Sequence, residues 1–158
     1  MAVARMAAQF RPADPSDAVA CVRIRGLTRE NAISEERLKS AGITARSWAE
    51  DIRNGSLPGF VCVSDARVVG YCFGASKTGE VVVLALLPEY ENQGFGRKLL
   101  EMVVAQLHGL GHRRLFLGCS PDPACRAYGF YRHLGWRSTG NLDGFGDEVL
   151  EFMPAGLP

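Results

Sequence analysis

A pair of glycines stands where an apolar strand pattern gives way to a long amphipathic helix pattern, and this junction constrains the fold more than any other feature. The strand pattern covers residues 80–87, and Gly94-Phe95-Gly96 follows after a short polar stretch. Leucine and valine then recur at helical spacing as far as Leu110. Glycines at a helix entrance let backbone N–H groups approach an anion such as phosphate, and the helix dipole adds partial positive charge. The junction therefore predicts an α/β fold with an anion site, unless the loop needs its glycines for conformation alone.

Two widespread phosphate-binding motifs do not fit this junction. A dinucleotide fingerprint needs a third glycine, and Leu99 stands at that position. A Walker A loop needs a longer spacing between its glycines and a following Gly-Lys-Ser/Thr, which the junction lacks. Arg97 and Lys98 lie in the first turn of the predicted helix, where positive side chains oppose the helix dipole. An anionic ligand at this position would explain them.

Helical patterns dominate the first third of the chain, and strand patterns follow. A short strand is expected at residues 9–12, and helices are expected at 17–28, 34–42 and 44–54, with Asp17, Ser34 and Thr44 as N-caps. The first helix is expected to bury Ala18, Cys21, Val22 and Leu27. Antiparallel strands are expected at 60–63, 67–76 and 80–87, and the last, apolar on both faces, is expected in the centre of the sheet. A strand at 114–119, a helix at 123–134 and a strand pair at 137–139 and 148–152 complete the pattern.

This order of elements indicates an α/β domain with a mixed, mostly antiparallel central sheet flanked by helices. The chain has 158 residues, which fits one compact domain, and no repeat, linker or low-complexity tract divides it. We therefore expect a single domain over residues 1–158.

Charge and apolar patterning exclude several classes of protein. The net charge is +1, so a general nucleic-acid-binding surface is not expected. The longest apolar run, residues 81–87, is far shorter than the roughly 20 residues that cross a bilayer, and residues 1–10 lack the apolar core of a signal peptide. Five cysteines without CxxC spacing fit neither a disulfide framework nor a zinc site. We expect a reduced, cytoplasmic protein that binds neither a membrane nor a metal.

Two motifs, one at the glycine junction and one further along the chain, resemble the GNAT superfamily of N-acetyltransferases. That family shows Pro-Glu-Tyr and then Arg/Gln-x-x-Gly-x-Gly/Ala, where this chain has Pro88-Glu89-Tyr90 and then Glu91-Asn92-Gln93-Gly94-Phe95-Gly96. It also shows Ala-x-x-Phe-Tyr-x-x-x-Gly-Phe, where this chain runs from Ala127 through Phe130-Tyr131 to Gly135-Trp136. The order of the predicted elements matches the family over most of the chain.

The resemblance implies an enzyme that transfers the acetyl group of acetyl-CoA to a primary amine by direct attack. It also implies that the central strand splays from its neighbour and pairs with the pantetheine arm of acetyl-CoA. The residues that it places against acetyl-CoA are Leu84, Leu86, Leu87, Glu91, Asn92, Gln93, Gly94, Phe95, Gly96, Arg97, Lys98, Tyr128 and Tyr131. In the catalytic roles that it implies, the backbone N–H of Leu86 polarises the thioester carbonyl, Glu80 is the general base, and the Tyr131 hydroxyl protonates the departing thiolate.

Each of these roles has an alternative. Glu80 could be a solvated carboxylate at the start of a strand, and Tyr131 could belong to the aromatic packing of a short helix. A nucleophilic route through Cys119 or Cys125 with His133 or His112 has no supporting spacing. A non-catalytic acyl-CoA-binding domain and a plain interaction domain on the same fold are the alternative functions.

Two positions depart from the family pattern. Glu91 replaces the usual Arg or Gln and brings a carboxylate close to the expected diphosphate, unless it points to water or Arg97 and Lys98 compensate for it. Ala124 replaces a frequent Asn and removes one polar contact to the pantetheine arm. We expect Glu91→Gln to bind acetyl-CoA as tightly as the wild type, or more tightly.

The acceptor amine is expected between residues 27–32 and residues 140–148, and it could be a small molecule or part of a protein. Asp143, Asp147 and Glu148 in the second segment would attract a cationic amine. Arg25 and Arg29 would instead hold a carboxylate, as an amino-acid acceptor requires. A homodimer formed through a sheet edge is compatible with such a fold.

Overall fold

The computed structural model describes residues 7–154, so residues 1–6 and 155–158 lie outside it, including most of the segment considered above as a signal peptide. The strands are β1 (Gln9–Pro12), β2 (Gly59–Ser64), β3 (Arg67–Gly74), β4 (Val81–Leu86), β5 (Leu115–Cys119), β6 (Arg137–Leu142) and β7 (Glu148–Phe152). The helices are α1 (Ala18–Arg25), α2 (Glu35–Ser40), α3 (Ala45–Arg53), α4 (Phe95–Gly109) and α5 (Arg126–His133). The predicted order of elements and the mixed α/β class are confirmed.

The strands form two hydrogen-bonded sheets that meet at one point. The first has the order β1-β2-β3-β4 and the second the order β5-β7-β6, and all pairs within them are antiparallel. Between β4 and β5 the structure shows one parallel bridge, Glu80 to Phe116, at the start of both strands. The two strands diverge from there. The prediction that the third strand lies in the centre of the sheet is wrong, because β4 is the edge strand of the order β1-β2-β3-β4.

The backbone of β4 presents alternate residues to β3 and to the gap beside β5. The N–H of Leu87 donates to the carbonyl of Val69 on β3 over 2.9 Å. Neighbouring residues of a strand direct their N–H and C=O groups to opposite edges. The amides of Leu86 and Leu84 therefore point away from β3, into the gap.

Side chains that alternate along β3 cover both faces of the first sheet. Tyr71 and Phe73 pack edge-on against Trp48 of α3, with ring centroids 5.8 and 5.5 Å away. Gly70 and Gly74 face the opposite side, where Leu99 and Leu107 of α4 lie against them. Because these glycines have no side chains, α4 packs close to the sheet. This packing fixes the start of α4 relative to the end of β4.

Local capping explains where the early helices begin. Ser34 accepts a hydrogen bond from the Arg37 amide at the start of α2, and Thr44 and Ser47 form a reciprocal capping box at the start of α3. Asp17 holds the N-cap position of α1, but its side chain makes no cap hydrogen bond, so this predicted cap is wrong. The other two predicted N-caps are confirmed. The predicted caps thus place these two helices from local sequence alone.

Two predicted helix bounds are wrong. The first helix ends at Arg25 rather than near Thr28, because Gly26 terminates it, and Leu27 is 51% exposed instead of buried. The helix predicted from residue 123 begins at Arg126, because the Cys125 amide closes a turn on Asp122 first.

Gly59 and Gly109 give a matched test of the packing. A Cβ on Gly59 would lie 2.2 Å from the Phe73 ring and 2.4 Å from the Cys72 carbonyl, whereas a Cβ on Gly109 would meet nothing within 4 Å. Gly59→Ala should lower the free energy of unfolding by about 2 kcal/mol and Tm by roughly 4–8 °C. Gly109→Ala should leave Tm unchanged or slightly higher. Thermal unfolding by circular dichroism measures both, and equal Tm values would contradict this account of the sheet.

Candidate active site

A groove of about 520 Å³ opens along the edge of β4 that faces away from β3. Its floor is the strand segment Leu84 to Leu86, and its walls come from α5 and from the loop after α1. The lining residues are Arg25, Thr28, Arg29, Glu30, Asn31, Leu84, Ala85, Leu86, Glu91, Gly96, Arg126, Ala127, Gly129, Phe130 and Tyr131. Strand amides that point into a mostly apolar groove fit the extended amide chain of a pantetheine arm.

Gly96, in the first turn of α4, lines one end of this groove. Gly94 is the N-cap, with a left-handed φ of 81°, and it provides no side chain to cap the helix. The first carbonyl to accept within the helix is that of Gly94, from the Lys98 amide. The amides of Phe95, Gly96 and Arg97 precede that bond, which is the arrangement that binds phosphate at a helix N-terminus. The residues at this end therefore fit the diphosphate of a CoA molecule.

Tyr131 lies on the groove wall. Its ring packs edge-on against Phe130 and Trp136, with centroids 5.1 and 6.0 Å away. Burial raises the pKa of Tyr131 well above its ordinary value. The hydroxyl is therefore protonated at neutral pH and can serve as a hydrogen-bond donor. The aromatic packing thus fixes the ring while the residue still lines the groove.

Glu80 lies at the closed end of the gap, where β4 and β5 meet. Burial raises the pKa of Glu80, and the nearby Asp143 carboxylate raises it further. Along an extended strand, Glu80 is roughly 13 Å from Leu84 and roughly 20 Å from Leu86. Leu84 is thus the closer of the two inward-facing amides. A carboxylate at Glu80 reaches a reacting centre at either amide only through water.

Five of the other residues that the sequence placed against acetyl-CoA occupy three different surroundings. Leu87 is buried, and its N–H and carbonyl are bonded to Val69 and Tyr90. Tyr128 is covered by the Arg132 guanidinium, 3.6 Å from its ring centroid. Neither residue lines the groove. The last group, Gly94, Arg97 and Lys98, lines a separate depression beside the first turn of α4.

The Glu91 side chain does not point to water. It is 14% exposed, and its Oε2 accepts from Arg29 Nε over 2.9 Å and from Arg126 Nη1. Arg97 pairs instead with Glu101, and Lys98 lies over the Phe10 ring. Neither alternative offered for Glu91 holds, because two other arginines compensate for its charge.

Sequence reasoning missed Arg126 altogether and gave Arg29 another role. These residues lie 35 and 62 positions from Glu91, so no local spacing connects them. The only signal was the carboxylate itself at a phosphate-binding position, which calls for a cationic neighbour.

A cysteine route finds no support in the geometry. Burial raises the pKa of the Cys119 thiol to about 11, so it stays protonated. His112 directs its Nε2 to the Ser76 carbonyl over 2.6 Å and thereby ties two turns together.

The described residues contain neither a candidate metal-binding cluster nor a membrane-spanning helix. Among residues 7–154 no cluster of three or more His, Cys, Asp or Glu is placed to hold a metal ion. Within the same residues no helix is long and apolar enough to cross a membrane.

The splayed strands and the glycine-initiated helix together define a fold built to hold an extended acyl-CoA. Residues 21–136 match the family model described as acetyltransferase (GNAT) family, and the chain belongs to this family. It is accordingly an acetyl-CoA-dependent acyltransferase, as the sequence resemblance implied. An uncharacterized N-acetyltransferase of Chlorobaculum tepidum is 30% identical over 122 residues, which cover 74% of this chain and 75% of that protein.

Solved structures share the fold at low sequence identity. The PaiA N-acetyltransferase of Thermoplasma acidophilum, in complex with coenzyme A, superposes with a TM-score of 0.78 at 18% identity, over 94% of this chain and 99% of that one. The Salmonella typhimurium protein YncA, with its cofactor acetyl-CoA, gives a TM-score of 0.74 at 19% identity, over 96% of each chain. At these identities the likeness concerns the fold.

Two glycines of the junction should respond in opposite ways to alanine. Gly94 has the left-handed φ of 81°, so Gly94→Ala should cost about 1–2 kcal/mol and lower Tm by roughly 3–6 °C. Gly96 is helical, and a Cβ there lies 3.8 Å from Phe130, an ordinary contact. Gly96→Ala should raise the free energy of unfolding by about 0.5 kcal/mol. Thermal unfolding of the protein without ligand compares them, and a fall in Tm for Gly96→Ala alone would contradict the assignment.

Proposed function

We propose that this acyltransferase moves the acetyl group of acetyl-CoA to a cationic primary amine by direct attack, without an acyl-enzyme. The observation that carries the proposal is the groove itself. Strand amides point into it, and Tyr131 and the first turn of α4 border it. The raised pKa of Cys119 argues against this thiol as the nucleophile.

Direct transfer requires two proton movements and one oxyanion contact. The amine loses a proton to Glu80 through water, and its nitrogen bonds to the acetyl carbon. The carbon–sulfur bond then breaks, and the departing sulfur accepts a hydrogen bond from the Tyr131 hydroxyl. The second proton of the attacking nitrogen passes to this sulfur, so that the products are the amide and the CoA thiol. A strand amide, that of Leu84 or Leu86, stabilises the negative charge that develops on the carbonyl oxygen. Of the two, Leu84 is closer to Glu80, so we assign it to the reacting carbonyl and Leu86 to the neighbouring part of the pantetheine arm.

Charge around the closed end favours a cationic acceptor over a carboxylate. Asp143 and Asp147 lie against Gly118 of β5, and Asp143 also acts on Glu80. Burial and Asp143 both raise the pKa of Asp147, so these carboxylates repel one another and would gain from a cation. Of the two arginines expected to hold a carboxylate, Arg29 is already paired with Glu91, and Arg25 donates to the Asn31 carbonyl. Glu148, which was expected to attract the amine together with Asp143 and Asp147, is paired with Arg132 and is not available to it.

Acetyl-CoA binding and the role of Tyr131 can be measured together. Acetyl-CoA at about 100 times Kd should stabilise the protein by about 2.7 kcal/mol, or roughly 5–10 °C in Tm, and ATP should not. Tyr131→Phe should keep this shift but lower kcat about 100-fold or more in a thiol-release assay with primary amines.

Tyr90→Phe is the matched control, because Tyr90 does not line the groove. Its hydroxyl donates a 2.9 Å hydrogen bond to Asp65. Its kcat should be close to that of the wild type. Binding of acetyl-CoA without turnover of any amine would instead support a non-catalytic acyl-CoA-binding domain. No Tm shift at all would refute the cofactor site.

A pH profile tests Glu80. A base must be deprotonated, so kcat/KM should fall as the pH drops through the pKa of Glu80, and burial places that fall above the ordinary range of a glutamate. Glu80→Gln should lower kcat and remove this acidic limb while KM for acetyl-CoA stays the same. An unchanged limb in Glu80→Gln would show that another group is the base.

A further inference from the structure

Two arginines from distant parts of the chain converge on the carboxylate of Glu91. Arg29 belongs to the loop after α1, and Arg126 is the first residue of α5. Arg126 also donates from Nη2 to Asn92 Oδ1 over 2.9 Å. We call Arg29, Glu91, Asn92 and Arg126 the Glu91 cluster. It joins three separate segments that border the groove, at the end where α4 begins.

The cluster lies where the phosphates of a CoA molecule would arrive. Arg29, Glu91 and Arg126 line the same groove as Gly96, which is in the first turn of α4. A diphosphate at the α4 amides would therefore approach both guanidinium groups and the Glu91 carboxylate. The arginines attract it and the carboxylate repels it.

The arginines keep the capacity to bind a second anion. Their side chains are 57% and 49% exposed, whereas that of Glu91 is 14% exposed. A guanidinium has five N–H donors, and Arg29 gives only its Nε to Glu91 among the contacts of the described residues. Phosphate oxygens match the fork of a guanidinium as well as a carboxylate does, and they carry more charge.

We propose that Arg29 and Arg126 bind a phosphate group of acyl-CoA, and that Glu91 competes with this phosphate for them. This inference rests on the acetyl-CoA-dependent function proposed above. In the protein without ligand, Glu91 neutralises the two arginines and fastens the three segments. An interaction that stabilises only the ligand-free protein weakens ligand binding. The affinity for the ligand falls by the same factor by which the interaction favours the ligand-free state. Glu91 therefore sets the cofactor affinity below the level that the groove could reach.

The test uses the full chain and three ligands that differ in their phosphates: CoA, dephospho-CoA without the 3′-phosphate, and pantetheine without any phosphate. Isothermal titration gives Kd for the wild type, Glu91→Gln, Arg126→Gln and Glu151→Gln. Glu151 is the matched control, because this β7 residue pairs over 2.7 Å with Arg114, the residue before β5. The Tm of each protein without ligand is recorded alongside.

Glu91→Gln should bind CoA and dephospho-CoA about fivefold more tightly or better, with pantetheine unchanged. Its Tm without ligand should be lower than that of the wild type, because the cluster is broken. Arg126→Gln should bind CoA about fivefold more weakly or worse, again with pantetheine unchanged. Glu151→Gln should match the wild type with every ligand. Lower stability together with tighter binding is a combination that a merely structural ion pair does not produce.

Other outcomes separate the two proposals. Weaker binding of CoA by Glu91→Gln, or an equal change for CoA and pantetheine, would overturn the competition and leave the cluster a structural tie. A Kd for CoA that neither Glu91→Gln nor Arg126→Gln changes would also overturn the competition, while the proposed function would stand. Failure of the wild type to bind CoA would overturn both.

Discussion

The separation of β4 from β5 is the constraint on which the rest of the structure depends. A sheet gains most of its hydrogen bonds from continuous pairing, and here two strands in mid-molecule pair at a single bridge. Each strand is instead stabilised from its other side, β4 by β3 and β5 by β7. The amides of Leu84 and Leu86 are thus left for a ligand. A backbone arm that replaces the missing neighbour strand would satisfy them, which is strand addition with a small molecule.

Carboxylates gather at the closed end of the gap between β4 and β5, where Glu80, Asp143 and Asp147 lie near Gly118. At the α4 end of the groove, Arg29 and Arg126 are balanced by the Glu91 carboxylate and by Glu30, which accepts from the Arg126 amide. A cationic acceptor is therefore attracted to the closed end. An anionic donor gains the two arginines only when it displaces the Glu91 carboxylate from them.

Local signals predicted what local physics decides. The sequence predicts Ser34 and Thr44 as caps because a hydroxyl before a helical run satisfies an otherwise unpaired amide. It predicts the glycine junction because glycine is the residue that readily adopts a positive φ before a helix. The family motif then supplied the fold and Tyr131. Leu27 was misplaced because helical periodicity continues past Gly26, although the glycine ends the helix. The edge position of β4 and the partners of Glu91 depend on contacts between distant segments, which no window of sequence contains.

Burial acts on the two proposed proton-transfer groups in the same direction but with opposite consequences. A raised pKa makes Glu80 a stronger base for an ammonium proton, while it makes Tyr131 a weaker acid. An ordinary thiol has a pKa of about 8.5, so full proton transfer from a buried tyrosine to a departing thiolate runs uphill. The hydroxyl therefore serves the leaving sulfur mainly as a fixed hydrogen-bond donor, whose value is greatest where water is excluded. Alignment of the amine with the thioester, rather than acid strength, must then supply most of the rate. The rigid strand floor and the packed ring of Tyr131 are suited to provide that alignment.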